Sequence, residues 1–98
     1  MAEIVWTSPA LEQLNDLAEY IALDNPDAAR ALVGRVMDTV SRLAQFPLSG
    51  RIPEELPGSV YREVVVPPCR IFYRHSEERV FIIHIMREER MLRAHMLG

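Results

Sequence analysis

Twice between residues 8 and 46, apolar side chains recur at helical spacing, and each recurrence opens on a proline. Leu11, Leu14, Leu17, Ala18 and Ile21 form the first stripe, behind Ser8-Pro9. Ala29, Leu32, Val33, Val36, Val40 and Leu43 form the second, behind Asn25-Pro26, and Pro47 stops it. Proline suits the first turn of a helix, where its missing N–H has no partner to lose, and Ser or Asn just ahead of it can cap the free amides. The spacing therefore predicts helices over 9–23 and 26–46, with Ser8 and Asn25 as caps. Helices joined by about three residues have to pack as an antiparallel hairpin. Its two apolar stripes then need a further layer to cover them.

The remaining segments supply that layer. Residues 2–7 are β-rich, and so are VYREVVV (60–66), CRIFYRH (69–75) and RVFIIHIMR (79–87). Pro67-Pro68 divides two of these runs because neither proline can donate to a ladder. Ser76-Glu77-Glu78 is a tight polar connection that makes 69–87 a hairpin. Val80 to Met86 is nearly all apolar, as in a central strand covered on both faces. Between the helices and these strands, 47–59 carries three prolines and two glycines and is a rigid loop. The tail, EERMLRAHML, has helical spacing at Met91, Leu92, His95 and Met96. The expected fold is α+β in the order β-α-α-β-β-β. An antiparallel helical hairpin packs on one face of a small, mostly antiparallel four-stranded sheet, as one domain over 1–98.

Charge narrows the function classes. All 11 basic residues are arginine, 3 of them against 7 acids in residues 1–50 and 8 against 7 acids in 51–98. A net charge of −3 argues against broad nucleic-acid binding and against sequence-specific binding by this chain alone. No apolar run approaches the length of a membrane span. The single Cys69 fits a reducing cytoplasm, and residues 1–14 do not read as a secretory leader. Cys69, His75, His84 and His95 have no metal-ligand spacing, and no glycine loop precedes a helix, so neither a metal nor a cofactor is expected.

The candidate interaction residues are therefore cationic or soft. Arg62, Arg70, Arg74, Arg87, Arg90 and Arg93 suit carboxylates or phosphates through their fork of donors. Arg70 and Arg74 share strand parity and, with Arg62 from the strand before, are expected on one face. Met91 and Met96 offer adaptable apolar contacts. No catalytic residue is assigned: His84 lies within an apolar strand, Tyr73 on an amphipathic one with its hydroxyl at a partner, and His75 beside a turn. Trp6 is expected to pack in the core.

Several segments in co-linear order resemble the RelE/ParE superfamily of toxins from type II toxin-antitoxin systems, most closely the ParE side. Gly50-Arg51 resembles the pair that closes that family's helical hairpin. Arg62-Glu63-Val64 and Arg70-Ile71-Phe72-Tyr73 resemble two of its strands, and Ile82 to Arg90 its last strand and basic turn. Where relatives often have Arg followed three residues on by His, this chain has His84 and Arg87, so roles at those two positions do not carry over. The resemblance implies a toxin neutralised by a ParD-like antitoxin and inhibiting DNA gyrase by binding. The alternatives are a RelE-like endoribonuclease cutting messenger RNA on the ribosome, and an antitoxin-binding domain whose toxicity has decayed.

Overall fold

A computed structural model describes residues 1–98. Strand β1 (Glu3–Trp6) leads into helices α1 (Ser8–Ala22) and α2 (Pro26–Arg42), followed by strands β2 (Tyr61–Val66), β3 (Cys69–Ser76) and β4 (Arg79–Arg87) and a 3-10 turn over Ala94–Leu97. The strands form one sheet in the order β1-β4-β3-β2, with β1 parallel to β4 and the other pairs antiparallel. The expected α+β order and helical hairpin are present. No helix is long and apolar enough to cross a membrane.

The helices bury the stripes read from the sequence. Ala10, Leu14, Leu32, Val36, Val40 and Leu43 meet Val66, Cys69, Ile71, Tyr73, Val80, Ile82 and Ile85 from the sheet, and Trp6 packs against this cluster half-buried. Leu11 is the exception at 45% exposed. Asn25 caps α2 as expected, accepting from Ala28 N–H at 3.1 Å. The cap of α1, however, is Thr7 and not Ser8: extended at φ −75°, ψ 153°, it accepts from Ala10 N–H. Thr7 is fixed there because its hydroxyl also donates to the Ile82 carbonyl at 2.7 Å, tying the helix start to β4. Helix α2 ends at Arg42, four residues before the expected stop, as Leu43, Ala44 and Gln45 switch to amide bonds three residues back.

Covered by the helices on one face, the sheet is covered on the other by the tail. Phe72 and Met86 meet Leu92 and Leu97 in a second cluster, with Met96 packed against it. The tail is not the α-helix its spacing predicts. Leu92 and Leu97 supply the buried side chains, and Met91 stays outside.

Candidate functional site

Strand register separates the arginines that parity had grouped. Arg62 lies opposite Tyr73, on the helix-covered face, while Arg70 and Arg74 lie opposite Val65 and Tyr61 on the other. Arg62 reaches the chain leaving α2 and donates to the carbonyl of Gly50 at 2.8 Å. Arg74 stands over the ring of Phe81, 5.4 Å from its centroid. Arg87 is held by Glu89 at 2.7 Å, and Arg90 and Arg93 are exposed on the tail. The expected single cationic face is therefore divided.

Arg70, near the start of β3 on the face turned away from the helices, is only 7% exposed. Its two terminal nitrogens bond both oxygens of Glu55 at 2.8 Å, and Nη2 bonds Glu63 Oε2 at 2.6 Å. Glu63, 1% exposed, gives its other oxygen to Arg51 Nε at 2.9 Å. The Arg70 guanidinium also lies 4.9 Å from the centroid of Phe72. These four residues alternate in sign and neutralise one another. The Arg70 bond holds the Glu55 carboxyl down at about 2, against 4.5 ordinarily, and the same pairing raises the arginine. Burying two opposed charges is tolerable only when they are paired, and here Arg70 Nε alone is left without a partner. The structure thus makes Arg70 a tie between loop, sheet and tail, where the sequence had offered it as a cation open to a partner. Glu55 and Glu63 were not among the sequence candidates. Above them lies a recess of about 360 Å³ with Glu54 and Glu88 at its edge.

Tyr73 has its hydroxyl at a partner, as expected. It accepts from Gly50 N–H at 2.9 Å and donates to the Pro47 carbonyl at 2.8 Å, closing the loop after α2 onto β3. Burial raises its phenol. It has no exposed proton to offer.

His84 lies just past the end of β1, where a bulge at Ile83 lets the β3–β4 pairing step from Tyr73↔Ile82 to Phe72↔His84. Gln13 of α1 accepts the Ile85 N–H with Oε1 at 2.8 Å and turns Nε2 to His84 Nδ1 at 3.0 Å. Because Gln13 presents its oxygen to Ile85, its nitrogen must donate to His84, so Nδ1 is unprotonated and the ring is neutral with its proton on Nε2. Burial, and secondarily the charge of Arg90, lower the imidazole below 6.5. A depressed histidine contributes stability that is present above the unfolded value and is lost as pH falls through the folded one. Urea midpoints are therefore expected to fall between pH 7.5 and 5.5 in the parent and to change less in His84→Gln. Equal drops in both proteins would show that His84 is not neutral in the fold. The Glu55 contribution is lost separately, between about 4.5 and about 2.

No three His, Cys, Asp or Glu side chains converge to hold a metal ion. Two other surfaces are open. An apolar groove of about 590 Å³ runs along the helical hairpin beside Ala18, Ala22, Ala29 and Val33, and the tail displays Arg90, Met91 and Arg93.

Residues 4–92 match the family described as ParE toxin of type II toxin-antitoxin system, parDE. The chain is similar to putative toxin Y4kP of Sinorhizobium fredii, 40% identical over 87 residues that cover 85% of this chain and 84% of that protein. It is also similar to toxin RelE2 of Caulobacter vibrioides, 36% identical over 92 residues, 93% of this chain and 100% of that one. Among solved structures it is similar to a chain of the chromosomal ParDE TA system from P. aeruginosa. The TM-score is 0.72 at 25% identity, covering 89% of this chain and 96% of the other.

Proposed function

The chain belongs to the ParE toxin family of type II toxin-antitoxin systems, and from that premise we propose that it inhibits DNA gyrase by docking, without bond chemistry of its own. The observation that carries this reading is the internal neutralisation of Arg70. Metal-free RNA cleavage needs a positioned base, an acid and cations around the phosphate. Here the buried arginine on the face away from the helices is consumed by Glu55 and Glu63. A phosphodiester entering the recess there meets the carboxylates of Glu54, Glu55 and Glu88 beside Arg51 and Arg70. Of the proton carriers, Tyr73 is bound to backbone on the opposite face and His84 is engaged by Gln13.

The neutralising partner in this reading is a cognate, ParD-like antitoxin. Its amphipathic helix fits the groove along the hairpin, and acidic side chains beyond it suit Arg62 and Arg74. The target contact falls to the tail, through Arg90, Met91 and Arg93 with Arg87 and Met96 beside them. The similarity to a relative named RelE2 over its whole length favours the second reading, a ribosome-dependent endoribonuclease.

One pair of assays separates the two. The purified protein is expected to block supercoiling by gyrase or trap gyrase on cleaved DNA, and to leave messenger RNA on translating ribosomes intact. Ribosomal cleavage abolished by His84→Gln, with supercoiling unaffected by the parent protein, would replace docking with catalysis.

A further inference from the structure

Met91 is exposed, yet the backbone is fastened on both sides of it by side chains. It is 64% exposed, in an irregular stretch between β4 and the 3-10 turn, where a chain end ordinarily frays. Yet the carbonyl of Arg90 before it accepts from Arg70 Nη1 at 3.0 Å. The amide of Leu92 after it donates to Glu55 Oε2, also at 3.0 Å. The two fastening side chains are themselves joined by two bonds of 2.8 Å. Burial of Leu92 and Leu97 would keep the tail on the sheet without these bonds. What the bonds add is a fixed backbone at the one large apolar residue that the tail leaves in solvent.

We propose that the Glu55–Arg70 ion pair is a positioning device for target docking, and that the side chain it presents, Met91, is the apolar anchor of that contact. This rests on the docking reading above and deepens it, naming the anchor and the residues that hold it. The occupant is a protein surface with an apolar pocket for Met91 and carboxylates for its neighbours. Arg90 and Arg93 are exposed and enter none of the internal ion pairs, so their charge is available to such a partner. Interfaces draw most of their binding energy from a few buried anchors. An anchor already ordered before contact loses less entropy on binding than a mobile one. Methionine suits the task because its unbranched thioether conforms to irregular pockets.

The proposal predicts coupling between two residues that make no direct claim on each other. In growth arrest after expression without antitoxin, and in gyrase supercoiling, Met91→Ala is expected to weaken the toxin about tenfold. Glu55→Gln is expected to do the same. The double variant is expected to be no weaker than either single one, because an unfixed Met91 has no anchoring left to lose. Antitoxin capture, assigned to the helical hairpin, is expected to persist in all three and reports that they are folded. Additive losses would overturn the positioning role, and full potency of Met91→Ala would overturn the anchor. Should Glu55→Gln fail to fold, Met91→Leu supplies the comparison: potency kept with leucine and lost with alanine supports the anchor, and equal potency of the two sinks it. A protein that arrests growth yet leaves supercoiling untouched fails the gyrase reading alone, and the anchor is then judged on growth arrest. A parent protein that does not arrest growth overturns both.

Discussion

Arg70→Ala is expected to lower the free energy of unfolding by about 3–5 kcal/mol, the range for breaking a buried ion pair from one side. The domain's total stability is on the order of 5–15 kcal/mol, so this single change brings it near the point of unfolding. The loss is large because of what remains. Glu63 is 1% exposed, and without Arg70 its Oε2 loses the 2.6 Å bond, leaving only Arg51 on its other oxygen. Glu55 loses both of its 2.8 Å bonds, and the carbonyl of Arg90 loses its donor. Urea denaturation followed by circular dichroism measures the effect. The paired change Arg70→Met with Glu63→Met is expected to recover part of the loss, since the fully buried carboxylate leaves with its cation while Glu55, 21% exposed in its side chain, still loses its bonds. If the single variant unfolds within about 1 kcal/mol of the parent, an ordinary surface pair would explain it, and the account of a central tie would be wrong.

Gly50→Ala is the second large effect, expected to destabilise by about 3 kcal/mol through overpacking and a disturbed buried hydrogen bond. A Cβ at this position would lie 2.6 Å from the Tyr73 hydroxyl oxygen and 2.7 Å from both Tyr73 Cε1 and the Glu63 carbonyl oxygen. One of these is backbone in a strand that Arg51 brackets with two further bonds, so it has little freedom to yield. The glycine is required for close approach and not for an unusual backbone angle. Tyr73→Phe removes the nearest atom, so the double variant is expected to lose less than the two single losses added together. Strict additivity in thermal or urea denaturation would show that the Tyr73 hydroxyl is not what Gly50 accommodates.

The elements were legible because their signals are local. A proline behind a capping residue announces a helix within a few positions, and alternation or a continuous apolar run announces a strand. The cap of α1 was misplaced by one residue because Ser8 and Thr7 are both good caps, and only the contact of Thr7 with Ile82 in the distant β4 chooses between them. The arginine faces were misjudged for a related reason. Parity within β3 correctly joins Arg70 to Arg74, but the face of Arg62 depends on register, which sets it against Tyr73. The partners of Arg70 were not legible at all. Glu55 lies in a loop without periodicity, and its bonds to Arg70 and to Leu92 depend on where that loop and the tail come to rest. One signal was available for Glu63: an acid leading into a run of valines, beside a strand that carries Arg70 at its second position, is a candidate for a buried pair.

The parallel pairing of Glu3 with Arg79 also governs when the protein can exist. Translation proceeds at roughly 5–20 residues per second, so the first strand emerges several seconds before the segment it must lie beside has been made. Strand β1 borders only β4, and β4 is made only after both helices, β2 and β3. Leu92 and Leu97, which close the second cluster, come later still. Until those segments emerge, the helical hairpin has only part of its sheet to lie on, and the opposite face of the sheet lacks its tail. The fold is thus completed only once β4 and the tail have been made.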